Sequence, residues 1–188
     1  MTAMRTPMLH KLRRFAGDET GNVTIETLIW LPLLLTVLAS MFSLHDAFRQ
    51  KSLNTKAAYT ISDAISRETS AIDAAYLDGM LDLLEFLTSS EGPYSLRVTQ
   101  VRYDANQGAY IRDWSQTRGL FSDLRTEDLV SLTDRLPTLL HNERVIMVET
   151  ETQYVPPFEL PALNEADLFY TYGFTRPRFA PQIIWSDS

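Results

Sequence analysis

The chain has 188 residues, no cysteine and a formal net charge of −7. Without cysteine it forms no disulfide and no thiolate-ligated zinc or iron–sulfur centre. The acid excess leaves nothing to displace the counterions of a phosphate backbone, so nucleic acid is excluded as a partner.

The charges are sorted along the chain. Before Gly21 the basic residues Arg5, Lys11, Arg13 and Arg14 outnumber Asp18 and Glu19, whereas from Asn22 onward 22 acidic residues outnumber 13 basic ones. Between the two regions, Thr27 to Leu44 carries no charge. As a helix these 18 residues reach about 27 Å, close to the thickness of a hydrocarbon core. Basic residues on one side and acidic bulk on the other follow the positive-inside rule. They predict a single membrane span, with a cytoplasmic N-terminus and an extracytoplasmic remainder. Trp30 suits an interfacial aromatic, and Pro32 removes one backbone donor early in the helix, where a kink is expected. The membrane lipid is thereby an expected partner. A cleavable secretory signal, cut after Ala39 in Val37-Leu-Ala39, is the alternative, but the apolar run is longer than such signals and begins beside the charged Glu26.

The sequence Gly21-Asn-Val-Thr-Ile-Glu26 stands at the head of this run, behind Lys11-Leu-Arg-Arg14. A basic segment, a glycine, a glutamate five residues on and then an apolar helix resemble the class III signal of type IV prepilins. The resemblance implies cleavage between Gly21 and Asn22 by a prepilin peptidase on the cytoplasmic face, with Glu26 as the fifth residue of the mature chain. Each residue has a physical reason. Glycine lets an extended backbone enter a narrow protease site. Lys11, Arg13 and Arg14 hold the leader in the cytoplasm. A carboxylate at the edge of a membrane helix needs a partner, and in pilins that partner is the new N-terminal ammonium of a neighbouring subunit. The plainer reading is that Glu26 favours the helix N-terminus electrostatically and Gly21 ends a turn.

Residues 15–35, with the acidic pair Asp18-Glu19, Gly21, Glu26 and Leu31-Pro-Leu-Leu-Leu35, are similar to the start of TadE/TadF-like proteins, the pseudopilins of tight-adherence (Tad) pilus systems. The ending Arg176-Pro-Arg-Phe-Ala-Pro-Gln-Ile-Ile-Trp185 also resembles some members. Thr27, where many members carry an aromatic, and polar Asn22 and Thr24 depart from the pattern. The resemblance implies a minor pilin in the bacterial inner membrane, with a pilin-like fold. Its partners would be the prepilin peptidase, other pilin or pseudopilin subunits and the pilus assembly platform. The rival is an uncleaved single-pass anchor that presents a binding or sensory domain.

Beyond Leu44 the pattern stays helical. Leu44, Ala47, Phe48, Ala58, Ile61 and Ile65 mark one face, interrupted by Lys51 and Asn54. A second helix is expected over 71–87, with Tyr76, Leu77, Met80, Leu83, Leu84 and Leu87 inward and Asp78, Asp82 and Glu85 outward. Ser89-Ser-Glu-Gly-Pro93 breaks it. Strands follow. Tyr94, Leu96 and Val98 alternate, then Val101 and Tyr103 in the opposite parity, which suggests a bulge near Thr99-Gln100. Asp104-Ala-Asn-Gln-Gly108 reads as a hairpin loop, with only a faint likeness to a calcium loop, and residues 109–115 return. A short helix is expected over 125–136, a strand over 144–154 and a last strand through Leu168, Tyr170, Tyr172 and Phe174. Ile183-Ile-Trp185 is expected to tuck into the domain.

The chain thus divides into a basic leader, 1–21; a transmembrane helix, 22–44; an extracytoplasmic helical region, 45–92; and a small antiparallel α+β domain, 93–188. No catalytic constellation is legible. His10, His45 and His141 stand in unrelated contexts, and no phosphate loop or nucleophile elbow occurs. No enzyme activity, cofactor or metal is expected. Asn22-Val-Thr24 matches a glycosylation sequon but lies at the membrane face.

Overall fold

The computed structural model describes residues 22–90, 92–156, 158 and 169–187. The fold is α+β, with two helices and a four-stranded antiparallel sheet. Helix α1 spans Asn22–Ser66 and contains Pro32. The chain divides into two compact units, Met1–Phe42 and Ser43–Ser188. In the first unit, the large apolar side chains from Val23 to Phe42 are exposed all round the helix.

In the second unit, helix α2 (Ala74–Thr88) is bounded as its sequence requires. Asp73 caps it by accepting the Tyr76 N–H at 2.8 Å, which satisfies one of the unpaired donors of the first turn. Ser89 ends it in the left-handed conformation, its N–H reaching Glu85 O. Leu77 and Leu84 are fully buried, Tyr76, Met80, Leu83 and Leu87 pack beside them, and the acidic residues face out, as the periodicity predicts. The stripe on α1 is centred differently from the expectation. Ala47, Ala58, Ile61 and Ile65 are buried, but Leu44 and Phe48 are exposed. The inward face runs instead through Ser43, Gln50 and Asn54, polar residues that hydrophobic periodicity cannot see.

The strands are β1 (Tyr94–Asp104), β2 (Ala109–Arg118), β3 (Arg144–Thr152) and β4 (Tyr170–Thr175), in sheet order β2-β1-β3-β4. The parity change in β1 has one cause. The sheet has a core on each face. Leu96, Val98, Ile146 and Val148 join the helices on one side. Val101, Val145 and Met147 join Leu124, Leu129, Leu136 and Leu139 on the other. The expected bulge near Thr99-Gln100 corresponds to a register shift against β2 between Gln100 and Val101. The extra residue is Asp113 on β2, however, and β1 pairs with β3 without a break.

Asp104 closes the hairpin by accepting the Asn106 N–H at 2.9 Å, so Asp104-x-Asn106 is a turn. Gly119 holds φ +81°, and a side-chain carbon there would sit 2.2 Å from Tyr94 O, so this close return of the chain needs glycine. Residues 125–136 do not form the expected α-helix. They make turns around one 3-10 turn, Asp128–Val130. The Ser131 and Thr133 hydroxyls donate to backbone carbonyls three and four residues back, and Asp128 accepts the Arg125 N–H. Such local bonds compete with helix propagation, while Leu129 and Leu136 anchor the segment to the second core. The tail is tucked in part: Ile184 stays exposed. Ile183 is buried, and Ile72 N–H and Ser186 N–H bond to Ile184 O and Ile72 O. Leu168 lies outside the described residues.

Candidate functional site

Of the residues singled out at the N-terminus, Lys11, Arg13, Arg14 and Gly21 lie outside the described residues. Asn22 is the first residue of α1. Glu26 stands one turn further on, exposed. Nothing among the described residues forms an ion pair or hydrogen bond with its carboxylate. The hydroxyl of the next residue is engaged with the helix itself: Thr27 donates to Val23 O at 2.8 Å. The local arrangement is therefore a carboxylate with no partner among the described residues, near the positive end of a helix dipole. The helix beyond it is long and apolar enough to cross a membrane. Chemically it can attract a cation or donor; among the described residues it has no neighbour with which to activate a nucleophile.

Two ionic clusters lie elsewhere, and the sequence reading did not find them. Glu149, 1% exposed, sits in the middle of β3 and receives Arg97 at both oxygens, at 2.5 and 2.6 Å. The Tyr170 hydroxyl donates to the same carboxylate. Burial and this bond push the Tyr170 hydroxyl's pKa well above the usual phenol range. Burial opposes the charge on Arg97, but its hydrogen bond to Glu149 and that residue's charge raise its pKa on balance. In the second cluster the bulge residue Asp113 gathers Gln100, Arg102 and Arg144, at 3.0, 3.0 and 2.8 Å. A bulge re-aims a side chain, and here it places one carboxylate between three strands. Both clusters are satisfied ion pairs that tie strands together. The pairs depend on register, and the one available signal was a charged residue inside each predicted strand.

His10 lies outside the described residues, and the other two histidines are not brought together. His45 is exposed on α1, and His141 Nδ1 accepts the Ala105 N–H at 3.1 Å. Among the described residues, no group of three metal-ligating side chains converges. No protein-family model, curated protein or solved structure matches the chain.

Proposed function

We propose that the chain is a minor pilin, or pseudopilin, of a tight-adherence pilus system. On this reading it is inserted into the bacterial inner membrane as a single-pass precursor with its N-terminus in the cytoplasm. A prepilin peptidase then cuts it after Gly21. It is a substrate and a structural subunit rather than a catalyst, and residues beyond Leu44 form its extracytoplasmic surface. Glu26 draws the new ammonium of Asn22 on a neighbouring subunit, so that two charges that are costly at a membrane edge neutralise each other.

The observation that carries the proposal is the carboxylate of Glu26, which has no partner among the described residues. It stands five residues past Gly21, at the head of a helix whose apolar side chains are exposed in every direction. An anchor has no use for that charge, whereas an assembling helix does.

The test is the intact mass of the membrane-extracted chain from cells that contain a prepilin peptidase. The expected mature chain begins at Asn22, and Gly21→Val leaves the precursor uncut. With processing intact, Glu26→Leu is expected to abolish incorporation into the assembly. A chain that begins at Met1 favours the uncleaved anchor and overturns the proposal. One that begins at Ser40 is a secreted domain and does the same.

A further inference from the structure

The solvent faces of the two helices carry opposite charge. On α1, Lys51 and Lys56 form no ion pair among the described residues, and Tyr59 is 59% exposed, its ring edge beside Gly173 of β4. On α2 there is no basic residue. Its exposed Asp82 and Glu85 have no ion-pair partner among the described residues. One turn from Asp82, Gly79 leaves a flat spot, where an added side-chain carbon would meet nothing within 4 Å.

The two faces also match in residue spacing. Both helices pack on the same side of the sheet. They run antiparallel, and Gln50 Nε2 donates to Thr88 O across them at 3.2 Å. Both helices rise equally per residue. Counted along the helices from that bond, Lys56 and Asp82 are each six residues away, and Tyr59 and Gly79 are each nine.

We propose that this face binds a second copy of the chain, the Lys51–Lys56–Tyr59 side of α1 seating against the Gly79–Asp82–Glu85 side of the neighbour's α2. Tyr59 covers the flat spot at Gly79, and the lysines meet carboxylates that have no partner within their own chain. Like faces repel: two α2 faces present only acids to each other, so the pairing is selective. A neighbour displaced sideways, without a shift along the helices, makes every one of these matches at once. Copies held in one bilayer share a height, which favours that neighbour; this last step rests on the membrane reading above.

Because the chain has no cysteine, the contact can be read directly by cross-linking. Full-length Lys56→Cys and Asp82→Cys chains, solubilised in detergent, are mixed and oxidised. The mixture is expected to give cross-linked dimers and each variant alone to give none. Lys56→Glu or Asp82→Lys in cysteine-free chains is expected to lower association roughly tenfold or more, since like charges across an interface oppose binding. Mixing these two variants restores it, because the reversed faces match. Gly79→Leu fills open space without disturbing the fold, and it lowers association as well. Dimers formed equally by each cysteine variant alone, or association indifferent to the charge reversals, overturn the proposal. So does loss of flotation with anionic phosphatidylglycerol vesicles in Lys56→Glu while self-association stays unchanged, which assigns the basic face to lipid headgroups. An uncut chain that cross-links through this pair sinks the pilin reading and leaves this contact standing; a chain cut at Gly21 that does not cross-link does the reverse.

Discussion

From Val23 to Phe42, α1 turns apolar side chains outward in every direction; from Ser43 to Ser66 the same helix buries one face and solvates the other. The backbone is alike in both parts. An α-helix satisfies its interior N–H and C=O groups internally, so it is as compatible with lipid as with water. Side chains alone decide where each part is stable. The buried face of the second part is unexpectedly polar. Asn54, fully buried, donates to Phe169 O at 2.5 Å and accepts the Thr150 hydroxyl at 2.9 Å. Gln50 reaches Thr88 O, and Ser43 reaches Phe158 O at 3.1 Å. A helix held to its domain by directional bonds has a fixed register. A helix that is apolar all round has none until something surrounds it.

The largest expected effect comes from the same truncation in both parts. Ile61 is fully buried in the first core, so Ile61→Ala is expected to destabilise the second unit by about 2–5 kcal/mol. Leu34 is exposed, so Leu34→Ala is expected to change that stability by less than about 0.5 kcal/mol. Denaturant unfolding of the detergent-solubilised chains, followed by tryptophan fluorescence, measures both. Equal losses at the two positions would mean that the first part belongs to the folded core, and the comparison would collapse.

A smaller effect tests whether the polar seam sets register. Asn54→Ala strands the Thr150 hydroxyl and Phe169 carbonyl in a buried place, at a cost of about 1–3 kcal/mol. Asn54→Leu adds apolar volume but makes neither bond, and it is expected to recover little of the loss. If the leucine variant instead equals or exceeds the native chain in stability, the seam is ordinary apolar packing and the register argument fails.

What was legible in the sequence had a local cause. The α+β class, the apolar face of α2, the hairpin at Asp104 and the tucked Ile183 follow from periodicity and turn chemistry within short windows, whereas α2 starts at Ala74, three residues after the expected 71, because Asp73 caps it. What was not legible depends on partners distant in sequence. The face of α1 was mis-centred because Asn54 reads as an interruption until Thr150 and Phe169 are brought beside it. The parity change in β1 reads as its own bulge, although β2 supplies the extra residue. Residues 125–136 have helical spacing, but their Ser, Thr and Asp side chains bond to the nearby backbone. At the candidate site, Gly21 and Glu26 were legible as a motif because spacing alone carries it, whereas the ion pairs of Glu149 and Asp113 required strand register.

The smallest effect is one of pH, and it concerns the start of the second unit. The Tyr154 hydroxyl donates to Ser43 O at 3.2 Å and Asp46 Oδ2 at 3.0 Å, while its ring stacks on Phe169 with centroids 4.9 Å apart. Burial, and then the bond to Asp46, pushes its pKa up to about 12. In the unfolded chain the phenol titrates near ~10. The folded state therefore holds this proton more tightly. The resulting stability is fully present below pH ~10 and is lost as pH rises from there toward 12. Tyr154→Phe keeps the ring stack and removes the O–H, which is expected to cost about 0.5–1.5 kcal/mol at pH 8. Above pH ~10 the gap between native chain and variant should narrow, since the native chain alone loses this contribution. Unfolding free energies at pH 8, 10 and 11 measure it. A gap that stays constant or widens would show that the hydroxyl does not hold its proton against Asp46, and that stacking on Phe169 alone secures this end of the helix.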